Sequence, residues 1–102
     1  MATISLLRAK TAPTCPPNTT ADFHFGSTCM GTLTFPTANK WENFSPNSKN
    51  FSVANKLKLY MGNGVLVDTC QTKIHPTPQQ TGNQRTLSAA VGPYTVEYNV
   101  VP

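Results

Sequence analysis

Apolar and polar residues take turns along much of this chain, with a period of two. Phe23 and Phe25 occupy one side of residues 21–25 while Asp22 and His24 occupy the other. Leu33 and Phe35 oppose Thr32 and Thr34 in residues 31–35. Tyr94, Val96, Tyr98 and Val100 alternate with Thr95, Glu97 and Asn99. This is the pattern of strands with one face on a core and the other in water. Residues 2–9 begin in the same way, Ile4 and Leu6 against Thr3 and Ser5, until Leu7 breaks the pattern. Helical spacing is absent, and nine prolines and six glycines interrupt most long windows.

Two hairpins follow from this patterning. Residues 56–61 alternate, meet Gly62-Asn63-Gly64, and continue as Val65-Leu66-Val67; glycine and asparagine supply the positive φ angles of a tight turn. Residues 86–91 and 94–100 form the second pair, with Gly92-Pro93 as the expected turn. Three proline-containing stretches, 11–20, 36–50 and 73–84, read as loops longer than the usual connection of about 4–6 residues. No repeat or internal boundary appears, so residues 1–102 are expected to form one domain. Seven or eight short strands in a chain of this length predict an all-β fold, a small antiparallel β-sandwich of jelly-roll or Ig-like type. Phe23, Phe25, Leu33, Phe35, Leu57, Leu59, Tyr94, Val96 and Tyr98 supply one thin core, with little left to line a deep catalytic cavity.

Composition narrows the function classes. Only 12% of the 102 residues are charged, against about 25% in an average soluble domain. Threonine and asparagine, with glutamine and serine, take their place. The several apolar runs argue against disorder, and none approaches the ~18 residues of a membrane span. The net charge of +4 is spread along the chain with no two cations adjacent. A nucleic-acid binder concentrates such charge; here the expectation is a soluble surface short of acids, or weak attraction to anionic surfaces or glycans. The four acids, Asp22, Glu42, Asp68 and Glu97, show no spacing that pairs two carboxylates for general acid–base work. Cys29 or Cys70 could be combined with His24 or His75 as a thiol nucleophile and base, but no acidic orienter or oxyanion motif accompanies them. Phosphate-binding and dinucleotide fingerprints are missing. The expectation is a protein that is not an enzyme and takes no cofactor.

Cys15, Cys29 and Cys70 make an odd count. In an oxidising compartment Cys15 and Cys29, which flank two short segments, form the expected disulfide; in a reducing one all three remain thiols. The start Met1-Ala2-Thr3 has neither the basic nor the apolar region of a signal peptide. Three N-x-S/T tripeptides, at Asn18, Asn43 and Asn50, point towards the outside of a cell. The expected location is extracellular or on a virion surface.

Cys70-x4-His75-x4-Gln80, with His24 far upstream, has the make-up of a blue-copper ligand set with glutamine in the axial position. In spacing, these four residues resemble the stellacyanin branch of the cupredoxins, and the resemblance implies a small copper protein. The chain departs from that family in several ways. A complete further hairpin follows the would-be ligand loop, Asp68 stands where an aromatic residue would precede Cys70, and Pro76 directly follows His75. Structural zinc lacks its close cysteine pair. No metal is expected.

Residues 39–47, Asn39-Lys40-Trp41-Glu42-Asn43-Phe44-Ser45-Pro46-Asn47, hold the single Trp with a Phe, a cation and amides. Either Trp41 and Phe44 form a platform on which a sugar ring or a protein hot spot stacks, with Lys40 and Asn43 as polar contacts, or both fold inward as a plug across the sandwich end. Residues 75–80 read as an extended arm, either a stiff surface loop or a contact to a neighbouring subunit. The leading expectation is a non-enzymatic extracellular-type module that binds glycan or protein surfaces through its loops. The alternative is a structural subunit of a virion, phage or filament whose partners are copies of itself; a cupredoxin-like copper protein stands third.

Overall fold

The structure is a computed structural model that describes residues 1–61, 66–89 and 92–102, with residues 66–72 and 89 described by backbone only. It contains nine strands: β1 (Ala2–Thr11), β2 (Thr19–Phe25), β3 (Thr28–Phe35), β4 (Glu42–Asn43), β5 (Lys49–Phe51), β6 (Asn55–Met61), β7 (Leu66–Ile74), β8 (Gln80–Ala89) and β9 (Gly92–Val101). They make two antiparallel sheets. One has the order β4-β1-β9-β8, with β5 also on β1; the other has the order β3-β2-β6-β7. The predicted all-β sandwich is what forms, with no helix among the described residues.

The inward rows meet between the sheets. Ile4, Leu6, Phe23, Phe25, Phe35, Leu57, Leu59, Tyr94, Val96, Tyr98 and Val100 are all buried, and Leu33 packs partly buried against them. Phe23 of β2 is the hub. Its ring stands edge-on to Phe44 at 5.2 Å between centroids, and to Phe35 and Tyr94 at 6.4 Å each. Tyr94 belongs to the opposite sheet, so this aromatic group joins the two layers. Edge-to-face pairs place the positive ring edge on the negative ring face and stabilise beyond their buried area.

The break at Leu7 is a β-bulge. Register between β1 and β9 shifts between Leu6 and Arg8, after which Ala9 and Thr11 resume the buried row. One extra residue re-aims everything that follows it, which sends Arg8 and Lys10 to the outer face. The bulged carbonyl is also used, because Leu7 O accepts from the Phe44 N–H at 3.0 Å.

Residues 36–50 are not simply a loop. Arg8 and Ala9 of β1 pair with Asn43 and Glu42, and Ala2, Thr3 and Ile4 pair with Phe51, Asn50 and Lys49. In the gap between these two short ladders, the Asn47 side chain stands in for a strand. Its Oδ1 accepts from Leu6 N and its Nδ2 donates to Leu6 O, both at 2.9 Å. Backbone groups of a central strand need partners, and this segment supplies them to the open side of β1. Strands of two and three residues are too short to show periodicity, which is why nine strands form where seven or eight were expected.

The two predicted hairpins pair as expected, β6 with β7 and β8 with β9. The second is longer than read. Gly92 and Pro93 are strand residues opposite Ala89 and Ser88, not the turn. Ala90 and Val91, like the Gly62-Asn63-Gly64 turn and Val65, lie outside the described residues. β8 also starts at Gln80 and takes in residues that had been read as loop.

Replacing Phe23 removes the hub from both layers. Phe23→Ala is expected to cost about 3–5 kcal/mol, measured as a lower urea midpoint with Trp41 fluorescence as the probe. A loss under about 1 kcal/mol would be that of a surface substitution and would contradict this core.

Candidate functional site

Trp41 and Phe44 are three residues apart on an extended segment, and an odd offset sends side chains to opposite faces. Phe44 enters the core against Phe23. Its ring also lies where a side chain on Gly31 would be, 2.9 Å from an ideal Cβ position. Trp41 turns outward and lies half-buried over the outer face of β1. Backbone anchors hold the segment on both sides: Asn39 N–H donates to Thr11 O at 3.0 Å, and Phe44 N–H donates to Leu7 O. The expectation that the two rings act together is corrected. Phe44 is a plug and is unavailable to a ligand, while Trp41 is at the surface.

The Arg8 guanidinium carbon lies 4.1 Å from the Trp41 ring centroid, and the Lys10 ammonium 4.9 Å from it. Both are within cation–π range. Arg8 is tied down on its other side, where Nη2 donates to Glu97 Oε2 at 3.0 Å and Nε donates to the same oxygen at 3.2 Å. Gln84 Nε2 also donates to Glu97 Oε2 at 3.2 Å. Trp41, just before β4, with Arg8 of β1, Glu97 of β9 and Gln84 of β8 thus form one row in the order of the sheet. The Arg8 hydrogen bonds are the main reason that the Glu97 carboxyl is held below its ordinary value of 4.5; Gln84 acts in the same direction and burial opposes both.

Of the residues read from sequence, Trp41 and Asn43 share this outer face, Asn43 opposite Arg8 in the β1–β4 register. Lys40 is exposed beside them and Phe44 is removed to the core. Sequence reasoning missed Arg8, Lys10, Glu97 and Gln84. Alternation along β9 places Glu97 on an outward face, but Arg8 and Lys10 face outward only because of the bulge at Leu7, and only the register across strands brings them together.

The expected Cys15–Cys29 disulfide is not formed; both are free thiols. Cys15 is buried at the end of β9, where its Sγ donates to Pro93 O at 3.6 Å and fills the space that a side chain on Gly92 would need. Cys29 is exposed on β3, where it is the cross-strand partner of His24 on β2. His24 turns its ring to Tyr60, 4.3 Å between centroids, and no hydrogen bond joins it to Cys29. The copper reading gains no support from His24 so placed, nor from Gln80. Gln80 Oε1 accepts from Tyr98 Oη at 2.6 Å, and its Nε2 donates to His75 O at 3.2 Å. Among the described residues no three His, Cys, Asp or Glu side chains converge; the Cys70 side chain lies outside them. A cleft of about 160 Å³ lined by Met1, Ala2, Ser52, Pro76, Thr77 and Pro102 carries no side chain that titrates.

The Glu97 shift sets a pH dependence. A carboxyl whose pKa is lower in the folded chain than in the unfolded one stabilises above its unfolded value, and that stability is lost as pH falls through the folded value. Between about pH 6 and pH 3, the stability difference between wild type and Glu97→Gln is expected to shrink. The effect is modest, because Arg8 is 38% exposed and its charge is screened by solvent. Denaturant titrations at several pH values measure it, and a difference that stays flat would contradict the pairing.

No protein-family model matches this chain, and no curated protein matches it significantly. Among solved structures it is similar to one described as the structure of a C2 domain, with a TM-score of 0.51 and 13% sequence identity. The likeness covers 98% of this chain and 94% of that one. At such low identity it shows the fold: this chain is a C2-like antiparallel β-sandwich.

Proposed function

We propose that the chain is a non-enzymatic binding module of extracellular type that engages a glycan or protein surface through Trp41. The observation that carries this reading is the large aromatic ring held half-buried at the surface by Arg8 and Lys10, with its segment anchored at Asn39 and Phe44. A ring fixed before binding loses little freedom when it binds. Its remaining apolar surface suits a sugar ring or an aliphatic side chain, while Lys40, Lys10 and Asn43 suit carboxylate and hydroxyl groups. Exposure of the three sequon asparagines, Asn18, Asn43 and Asn50, supports the extracellular side of the reading. No helix of the described residues is long and apolar enough to cross a membrane.

A second reading, a structural subunit that pairs with copies of itself, is favoured by one observation. β3 is an eight-residue edge strand without charge or proline. Other long edges are guarded: β8 carries Arg85, exposed although it is paired with buried Val96, and β7 carries Asp68 and Lys73. Open, uncharged edges invite a further strand.

A panel of immobilised neutral and carboxylate-bearing oligosaccharides and acidic peptides, with sulfated chains left out, probed with wild type and Trp41→Ala, tests the first reading. A surface ring of this kind is a hot spot worth about 2 kcal/mol, so Trp41→Ala is expected to bind its target roughly 30-fold more weakly with an unchanged circular dichroism spectrum. Equal binding by both proteins would overturn the Trp41 site. Large assemblies in light scattering together with an empty panel would favour the subunit.

A further inference from the structure

The cations are evenly spread in sequence, but the fold gathers several of them on the other sheet. Along β6, Leu57 and Leu59 are buried, so Lys56, Lys58 and Tyr60 face outward. On β7, Ile74 is buried and Lys73 faces outward with them. Lys56 and Lys73 are direct cross-strand partners, and Lys58 is the partner of His24 on β2. Directly opposed side chains have Cβ atoms roughly 5 Å apart, and residues two apart on one strand are about 7 Å apart. Three ammonium groups and an imidazole therefore share one end of the outer face of this sheet. Like charges opposite one another are destabilising, and no ion pair among the described residues relieves them.

The rest of that face has a different character. Asp22 accepts from Thr32 Oγ1 at 2.6 Å, and the hydroxyls of Thr20 and Thr34 lie 3.1 Å apart. A broad anionic body, such as a membrane or a duplex, would cover Asp22 together with the lysines. A narrow chain can lie along the lysine end alone, clear of Asp22. The cations are lysines, which present compact point charges, not the planar forks that match phosphate in nucleic acid. Tyr60 is engaged with His24, so no free aromatic ring is offered for base stacking.

We infer that the outer face of the β3-β2-β6-β7 sheet is a second binding site, centred on Lys56, Lys58 and Lys73, for a sulfated polysaccharide chain. It lies on the sheet opposite Trp41 and is independent of that site. Sulfate groups neutralise the opposed Lys56–Lys73 pair.

A heparin hexasaccharide is the probe, with binding measured by calorimetry at several salt concentrations. Lys56→Gln/Lys73→Gln is compared with Lys49→Gln/Arg85→Gln, which removes the same charge from the other sheet, where both residues are exposed. The first double variant is expected to lose at least about tenfold in affinity and to show a shallower salt dependence. The control is expected to lose less than about threefold. Removing both charges of a repelling pair leaves thermal stability equal or higher, so lost binding is not lost folding. Trp41→Ala is expected to bind the hexasaccharide as wild type does, which separates this site from the first. Equal losses in the two double variants would reduce the effect to net charge and overturn the proposal. So would no binding by wild type, or equal or tighter lysine-dependent binding to single-stranded DNA or to phosphatidylserine vesicles.

Discussion

Everything on the Trp41 face depends on the insertion of one ring. Phe44 reaches between the layers to meet Phe23 at right angles, and the cost of ordering its segment is offset by burying an aromatic side chain, on the order of 2–3 kcal/mol. Once Phe44 is inside, an extended backbone leaves Trp41 only the outside. The bulge at Leu7 makes this possible by supplying the carbonyl that receives the Phe44 amide and by turning Arg8 and Lys10 outward to meet the indole. Core packing, backbone hydrogen bonding and the surface site are consequences of one local arrangement.

The row from Trp41 through Arg8 and Glu97 to Gln84 adds a lateral tie across the sheet. Arg8 satisfies two neighbours, placing its guanidinium over the ring and donating two N–H groups to Glu97, which a lysine cannot do in the same way. The opposite sheet has no such tie at its lysine end. There, among the described residues, no ion pair relieves the facing cations.

Much of the fold was legible from alternation alone. The buried row of β9, the phenylalanines of β2 and the leucines of β6 sit where period two places them, and the break at Leu7 marked a real bulge. β4 and β5 were illegible because their reason for existing lies in β1, whose unpaired side they complete. The candidate site was half legible. Trp41 stands out as the single Trp, while the separation of Phe44 from it follows only from the extended backbone of residues 41–44, whose odd offset sends the two rings to opposite faces. Arg8, Lys10, Glu97 and the lysine cluster depend on register between strands distant in sequence, and periodicity carries no register information. Cys15 and Cys29 looked pairable by spacing, yet one thiol is buried against Gly92 and the other faces solvent on the second sheet.

The most direct test of the opposed rings is nuclear magnetic resonance of the wild-type protein in solution. Cross-relaxation between Phe44 and Phe23 ring protons, with Arg8 and Lys10 side-chain protons shifted upfield by the Trp41 ring, is the expected result. Trp41 protons in contact with Phe23 or Tyr94, or unshifted Arg8 and Lys10 side chains, would contradict the account.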